Sequence, residues 1–278
     1  MTIIFATLLV GCVATSGGIQ PPPDFGVSRP SNADNGDIVV RSSSERADEK
    51  VVRVWRDFSK SGDEKLWTKF IDEFIEAVRK HQTKTSGIEV VRFATAGNSI
   101  WQEKAEKFIW GEYPVFKDFD VNYADAPPNA KMFQDARKKY IDEKRAAYEK
   151  EKARIVNEYD NRVGEQLNRL RAYLGESPTE PARCTSFTEL ATRIERENIV
   201  KNLTITDGWA DCTAEAGVEP VPAKVSGKHL IIQLPVHSDT QGSDAALKRR
   251  EFYLRKLFPT ADVFPVYSIN KAVEELFR

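Results

Sequence analysis

Residues 51–61 read VVRVWRDFSKS, from Val51 to Ser61. A β-branched and aromatic run stops at Asp57 and continues as Asp57-x-Ser59-x-Ser61. This predicts a buried strand running into a polar loop. Alternate residues of an extended segment face one side, so the Asp57 carboxylate and the hydroxyls of Ser59 and Ser61 can converge on one point. A set made only of oxygens suits Mg²⁺, Mn²⁺ or Ca²⁺ and not zinc. In an open parallel sheet, ligands bind in the crevice beyond the carboxyl ends of the strands, where such a loop lies. A second reading of the same residues stays open, because Ser61-Gly62-Asp63-Glu64 is also a capping box for the helix that follows.

That helix is announced by Leu66, Trp67, Phe70, Ile71, Phe74, Ile75 and Val78, an i, i+3/i+4 stripe that ends near His81. Ile88 to Ala94 (IEVVRFA) reads as the next strand, which makes a strand, helix, strand unit with a right-handed crossover. Lys107 to Tyr113 is expected to form a hairpin with it across the turn at Ala96-Gly97-Asn98-Ser99. Further along, Asn198 to Thr206 (NIVKNLTIT), Lys228 to Pro235 (KHLIIQLP) and Asp262 to Tyr267 read as strands. Helices are expected around Leu190, Ala191 and Ile194, over Ala245 to Phe258 and over Ile269 to Phe277. Alternation of this kind predicts an α/β three-layer sandwich with a mostly parallel central sheet.

Composition narrows the function. The chain has 278 residues, long enough for a sizeable core, and 41 basic against 42 acidic side chains. Charge of that balance gives no overall electrostatic case for nucleic acid or for an anionic membrane surface. Cys12, Cys184 and Cys212 are too far apart, with three histidines, for a zinc-ligand cluster. Thr2 to Val10 is an apolar run followed by Leu9-Val10-Gly11-Cys12, which resembles the lipobox of bacterial lipoproteins, although no Lys or Arg precedes Cys12. The resemblance implies cleavage before Cys12, lipidation of Cys12 and a place in the bacterial envelope, with residues 1–12 as the signal. The run is too short to span a bilayer, which needs about 20 residues. Residues 13–49 are rich in Ser, Gly, Pro and Asn and read as a flexible tether, with Ile38 to Val40 as the sole candidate edge strand. In an exported chain Cys184 and Cys212 are a possible disulfide, and two small buried thiols are the alternative.

From Asn129 to Leu174 the composition changes to Lys, Glu, Arg and Ala without proline, a long charged helical segment. Ile155, Tyr159, Val163, Leu167, Leu170 and Leu174 form a stripe over its second half; Phe133, Tyr140, Ala147 and Tyr148 mark a thinner first half. Two forms fit: a hairpin breaking near Ala146, or one long helix whose second half returns along the body.

Three strand-end loops therefore carry oxygen ligands: Asp57-x-Ser59-x-Ser61, Thr185 ahead of a helix, and Thr206-Asp207-Gly208 after an apolar strand. In order and context they resemble the von Willebrand factor A domain over residues 50–278, with 129–174 as a helical insertion. The resemblance implies a metal-ion-dependent adhesion site formed by Asp57, Ser59, Ser61, Thr185 and Asp207, which holds Mg²⁺ and leaves a position for a partner's carboxylate. Thr188 is an alternative ligand, and Thr185 can instead be the N-cap of its helix. The expected function is non-enzymatic capture of a protein partner. A scaffold that binds through its long helices, with a vestigial metal site, is the alternative. A strand ending in Asp57 also resembles aspartate-nucleophile phosphatases, but Ser59 stands where they carry a second acid. His81, His229 and His237 read as packing or surface histidines.

Overall fold

The computed structural model describes residues 50–58, 64–94, 99–178, 185–208, 220–234 and 244–278. Six strands form one sheet: β1 (Val51–Asp57), β2 (Gly87–Phe93), β3 (Glu106–Ile109), β4 (Lys201–Thr206), β5 (Lys228–Gln233) and β6 (Asp262–Pro265). Their spatial order is β3-β2-β1-β4-β5-β6. Every neighbour pair is parallel except the β2–β3 hairpin. The apolar character of β1 and β5 follows from this order, since inner strands of a parallel sheet are covered on both faces.

Period-two alternation sorts the side chains between the two faces. Val52 and Val54 of β1 join a core shared with α1 (Glu64–Lys80), α3 (Gln134–Gly175) and α6 (Ile269–Leu276). Trp55 joins the opposite core, formed with α4 (Phe187–Glu197) and α5 (Asp244–Leu257). Helices on both faces make three layers, as the alternating pattern predicts. The α1 stripe buries Phe70, Phe74, Ile75 and Val78, and Trp67, Phe70 and Phe74 stack in succession at 5.1 and 5.8 Å.

The charged segment is one unbroken helix of 42 residues, preceded by a single short turn of helix, α2 (Pro128–Met132). The long-helix form holds, therefore, and the break near Ala146 does not occur. At 1.5 Å per residue α3 is about 63 Å long. Only its second half reaches the core, through Tyr159, Val163, Leu167, Leu170 and Leu174. The first half has a different partner. Tyr113 packs on Tyr159, Phe116 on Lys152, Phe119 on Arg145 and Tyr148, and Tyr123 on Arg137. These rungs run in opposite sequence directions, so residues 113–123 form an extended strap along the helix. Ten residues of extended chain and twenty-two of helix both span about 33 Å, which is why the rungs stay in register. The arm ends in Met132 and Phe133, both exposed.

Its base is pinned by arginines. Arg56 of β1 donates to the Tyr173 and Glu176 carbonyls at 3.0 and 2.7 Å. Arg92 of β2 donates to the Tyr173 carbonyl and the Glu176 carboxylate at 2.9 and 2.5 Å, and Trp67 Nε1 to the Leu174 carbonyl at 2.9 Å. The last carbonyls of a helix have no intrahelical donor and carry its negative dipole end, so guanidinium groups there satisfy both needs.

Candidate functional site

The strand order reverses between β1 and β4: from β1 the chain builds outward through β2 and β3, then returns to β4 on the other side. Such a switch point opens a crevice at the carboxyl ends of the two strands. Asp57 ends β1 and Thr206 ends β4, and the register Arg53↔Asn202 to Arg56↔Ile205 brings those ends side by side. Trp55, Asp57, Thr204 and Thr206 all occupy positions of one parity and share the α4/α5 face.

The side chains meet. Thr206 Oγ1 donates to Asp57 Oδ2 at 2.7 Å, and the Gly208 backbone N–H donates to the same Thr206 oxygen at 2.9 Å. One hydroxyl thus orients the carboxylate on one strand and closes the turn that carries Asp207 on the next. Gly208 has φ +74°, a left-handed conformation that favours glycine. A methyl group there would also be tight, 3.1 Å from Leu254 Cδ1 and 3.3 Å from Arg250 Cβ.

Thr185 reaches the same end of the sheet by way of α4. Phe187 packs edge-on against Phe93 at 6.1 Å, and Phe93 is the register partner of Asp57. The N-cap of α4 is Ser186, whose hydroxyl accepts from the Glu189 N–H at 3.2 Å, so the capping role open to Thr185 belongs to its neighbour. Thr185 is buried, whereas Thr188 is exposed on the first turn of α4. Asp207 is likewise buried. Asp57 and the turn carrying Asp207 thus meet through Thr206, and Thr185 is buried two residues ahead of Phe187, which packs on Phe93. Ser59, Ser61, Cys12, Cys184 and Cys212 lie outside the described residues, as do the tether and the capping box at Ser61.

The carboxylate and hydroxyl oxygens of Asp57, Thr185 and Asp207 are of the kind that could hold a hard divalent cation at a switch-point crevice. Among the described residues no three His, Cys, Asp or Glu side chains group to hold a metal, so a site here depends on hydroxyls beside two carboxylates. A bound ion supplies Lewis acidity and a coordination position for an anionic group.

Three residues escaped sequence reasoning. Thr206 was visible only as the start of Thr-Asp-Gly, with no role assigned. Arg250 of α5 is buried against the Gly208 turn; burial lowers its pKa and the Asp207 charge acts in the opposite direction. On the other face, burial and then the Arg92 charge lower the Arg56 pKa to about 9, which still leaves it charged at neutral pH.

No family model matches the chain, and no curated protein sequence does. Among solved structures, an aerotolerance-related membrane protein from Bacteroides fragilis, with multiple mutations to serines, is similar at a TM-score of 0.36 and 11% identity, over 82% of this chain and 98% of that one. Among the described residues no helix is long and apolar enough to cross a membrane.

Proposed function

We propose that this chain is a non-enzymatic protein-binding module similar to the von Willebrand factor A domain, tethered to the bacterial envelope through Cys12. In this reading Asp57, Ser59, Ser61, Thr185 and Asp207 hold Mg²⁺ or Mn²⁺, and a carboxylate of a protein partner completes the ion's shell. The observation that carries it is the Thr206 hydroxyl joining the Asp57 carboxylate to the Asp207 turn at the switch point of the sheet. Two carboxylates and neutral hydroxyls leave part of the ion's shell to water, which a carboxylate from outside can displace.

Calorimetric titration of the full chain with Mg²⁺ and Mn²⁺, beside Asp57→Ala and Asp207→Ala, tests the reading. Saturable binding that both substitutions abolish is expected, with folding retained by circular dichroism. Binding unchanged in either variant would refute the site.

The exposed apolar tip of the arm, Met132 and Phe133, favours a second reading, a scaffold that binds through α3. It requires partner capture to survive Asp57→Ala and to fail when Met132 and Phe133 are replaced by serine.

A further inference from the structure

The α4/α5 side of the crevice holds a cation of its own. Arg250 and Leu254 lie one helical turn apart on α5 and both face the Asp207-Gly208 turn, with the Arg250 Cβ 3.3 Å from where a Gly208 methyl would stand. The side chain is buried, and so is Asp207. A buried guanidinium whose stem is fixed against the turn carrying a buried carboxylate cannot be screened by salt as a surface pair is. Burial lowers its pKa, and the Asp207 charge opposes that shift. Gln233 completes the packing by donating from Nε2 to the Leu247 carbonyl at 3.2 Å, which ties β5 to the same stretch of α5.

We propose that Arg250 is a built-in counter-cation of the crevice, which weakens the hold of Asp57 and Asp207 on a divalent ion and makes its retention conditional on an anionic partner group. This rests on the metal-site reading of Asp57 and Asp207 and deepens it. Charge bookkeeping gives the mechanism. Two carboxylates and one guanidinium leave a single net negative charge before an ion enters. A divalent cation then leaves a single net positive charge, and one carboxylate from outside restores neutrality. Without Arg250 the ion alone neutralises the two aspartates, and nothing beyond coordination favours a further anion. The arginine therefore couples ion and carboxylate: each binds better in the presence of the other.

The test is Mn²⁺ titration followed by electron paramagnetic resonance, on the full chain and on Arg250→Met, Arg250→Lys and Asp207→Asn, with and without acetate as the carboxylate probe. Arg250→Met keeps an apolar stem against Gly208 and Leu254 while removing the charge. It is expected to bind Mn²⁺ at least about tenfold more tightly than the unmodified chain, as removal of a nearby like charge requires. Acetate should tighten Mn²⁺ binding to the unmodified chain and to Arg250→Lys, and much less to Arg250→Met. Equal Mn²⁺ affinity in the unmodified chain and Arg250→Met would overturn the inference while leaving the metal site intact. No Mn²⁺ binding in either would overturn both, and binding unaltered by Asp207→Asn would overturn the site itself. Should Arg250→Met fail to fold, the Mn²⁺-free melting temperatures of Arg250→Lys, Asp207→Asn and the double variant decide. Asp207→Asn should destabilise the chain by leaving the cation uncompensated, and equally in the Lys background; no destabilisation in either would overturn the pairing.

Discussion

His229 gives this fold a built-in sensitivity to acid. It lies on β5 with its ring buried, Nε2 at 2.9 Å from Thr204 Oγ1 and its plane edge-on to Phe258 at 4.7 Å. Nδ1 is buried and makes no hydrogen bond among the described residues, so the charged form would leave a cationic N–H unmatched in the α4/α5 core. Burial pushes the imidazole down to about 3 from its ordinary 6.5. The folded state therefore keeps the neutral ring while the unfolded chain takes up a proton below pH 6.5. Between the two values the unfolded state binds more protons, so stability is complete above pH 6.5 and is lost as pH falls, by about 1.4 kcal/mol per unit. At pH 5 the loss from this residue is about 2 kcal/mol. Urea unfolding followed by tryptophan fluorescence, at pH 7.5, 6.5, 5.5 and 5.0 on the unmodified chain and on His229→Gln, isolates it. Other titrating groups, including the solvent-accessible His81, are common to both proteins and cancel in the difference. His229→Gln is expected to be the less stable at pH 7.5 and to close the gap by about 2 kcal/mol at pH 5. A difference that stays flat over this range would refute the claim that His229 is buried neutral.

Three further outcomes are expected. Thr206→Val removes both the donor to Asp57 and the acceptor for the Gly208 N–H, and should cost about 1–3 kcal/mol in thermal or urea unfolding together with weaker Mn²⁺ binding, while Thr206→Ser restores both. Leu170→Ala in the buried stripe of α3 should cost about 2–5 kcal/mol, against a change within about 0.5 kcal/mol for Ala146→Ser in the arm, measured by urea midpoints. Arg56→Met removes a donor to the Glu176 carbonyl, and should speed amide hydrogen exchange over the last turn of α3 and cost about 1–3 kcal/mol.

Elements with strong periodicity were legible: α1, β1, β2, β4 and β5 fall where their stripes and apolar runs put them, with ends displaced by a few residues. The run NIVKNLTIT predicts a strand from Asn198, yet Asn198 takes φ 51° as the left-handed C-cap of α4, and the strand begins at Lys201. Asparagine tolerates that conformation, a preference that an apolar-run reading overlooks. The strap along α3 was illegible because its aromatics answer to a helix surface and not to any period of their own. The role of Arg56 and Arg92 was illegible because the Tyr173 carbonyl they share stands 117 and 81 residues away in sequence. Arg250 sits in LKRREFYLRK beside Arg249, and only the spacing to Ala246 and Leu254 hinted that it faces inward. At the crevice, the ends of the apolar runs marked Asp57 and Asp207, but the Thr206 hydroxyl that joins them belongs to pairing between strands about 150 residues apart, which no local window contains.

The arginine clamp also decides what kind of arm α3 is. Arg56 and Arg92 lie close enough for the charge of one to lower the pKa of the other. Their proximity is tolerated because the end of α3 supplies carbonyl and carboxylate acceptors and because Phe58, Trp67 and Tyr173 offer ring faces at 3.7–4.7 Å. Lifting the base of the helix would break these hydrogen bonds and ring contacts together, a cost above that of an ordinary surface contact. The base is therefore fixed, and the portion that can be dispensed with is the part held by the strap alone. Because Lys152 Nζ lies 5.5 Å over the Phe116 ring, a cut at that rung leaves two ends that a short Gly-Ser turn can join. A chain with residues 117–151 replaced by such a turn should unfold cooperatively with the same His229 acid response and unchanged Mn²⁺ affinity. Loss of cooperative unfolding in that variant would mean that the arm is part of the folding unit and that the pinned base alone does not sustain the sheet.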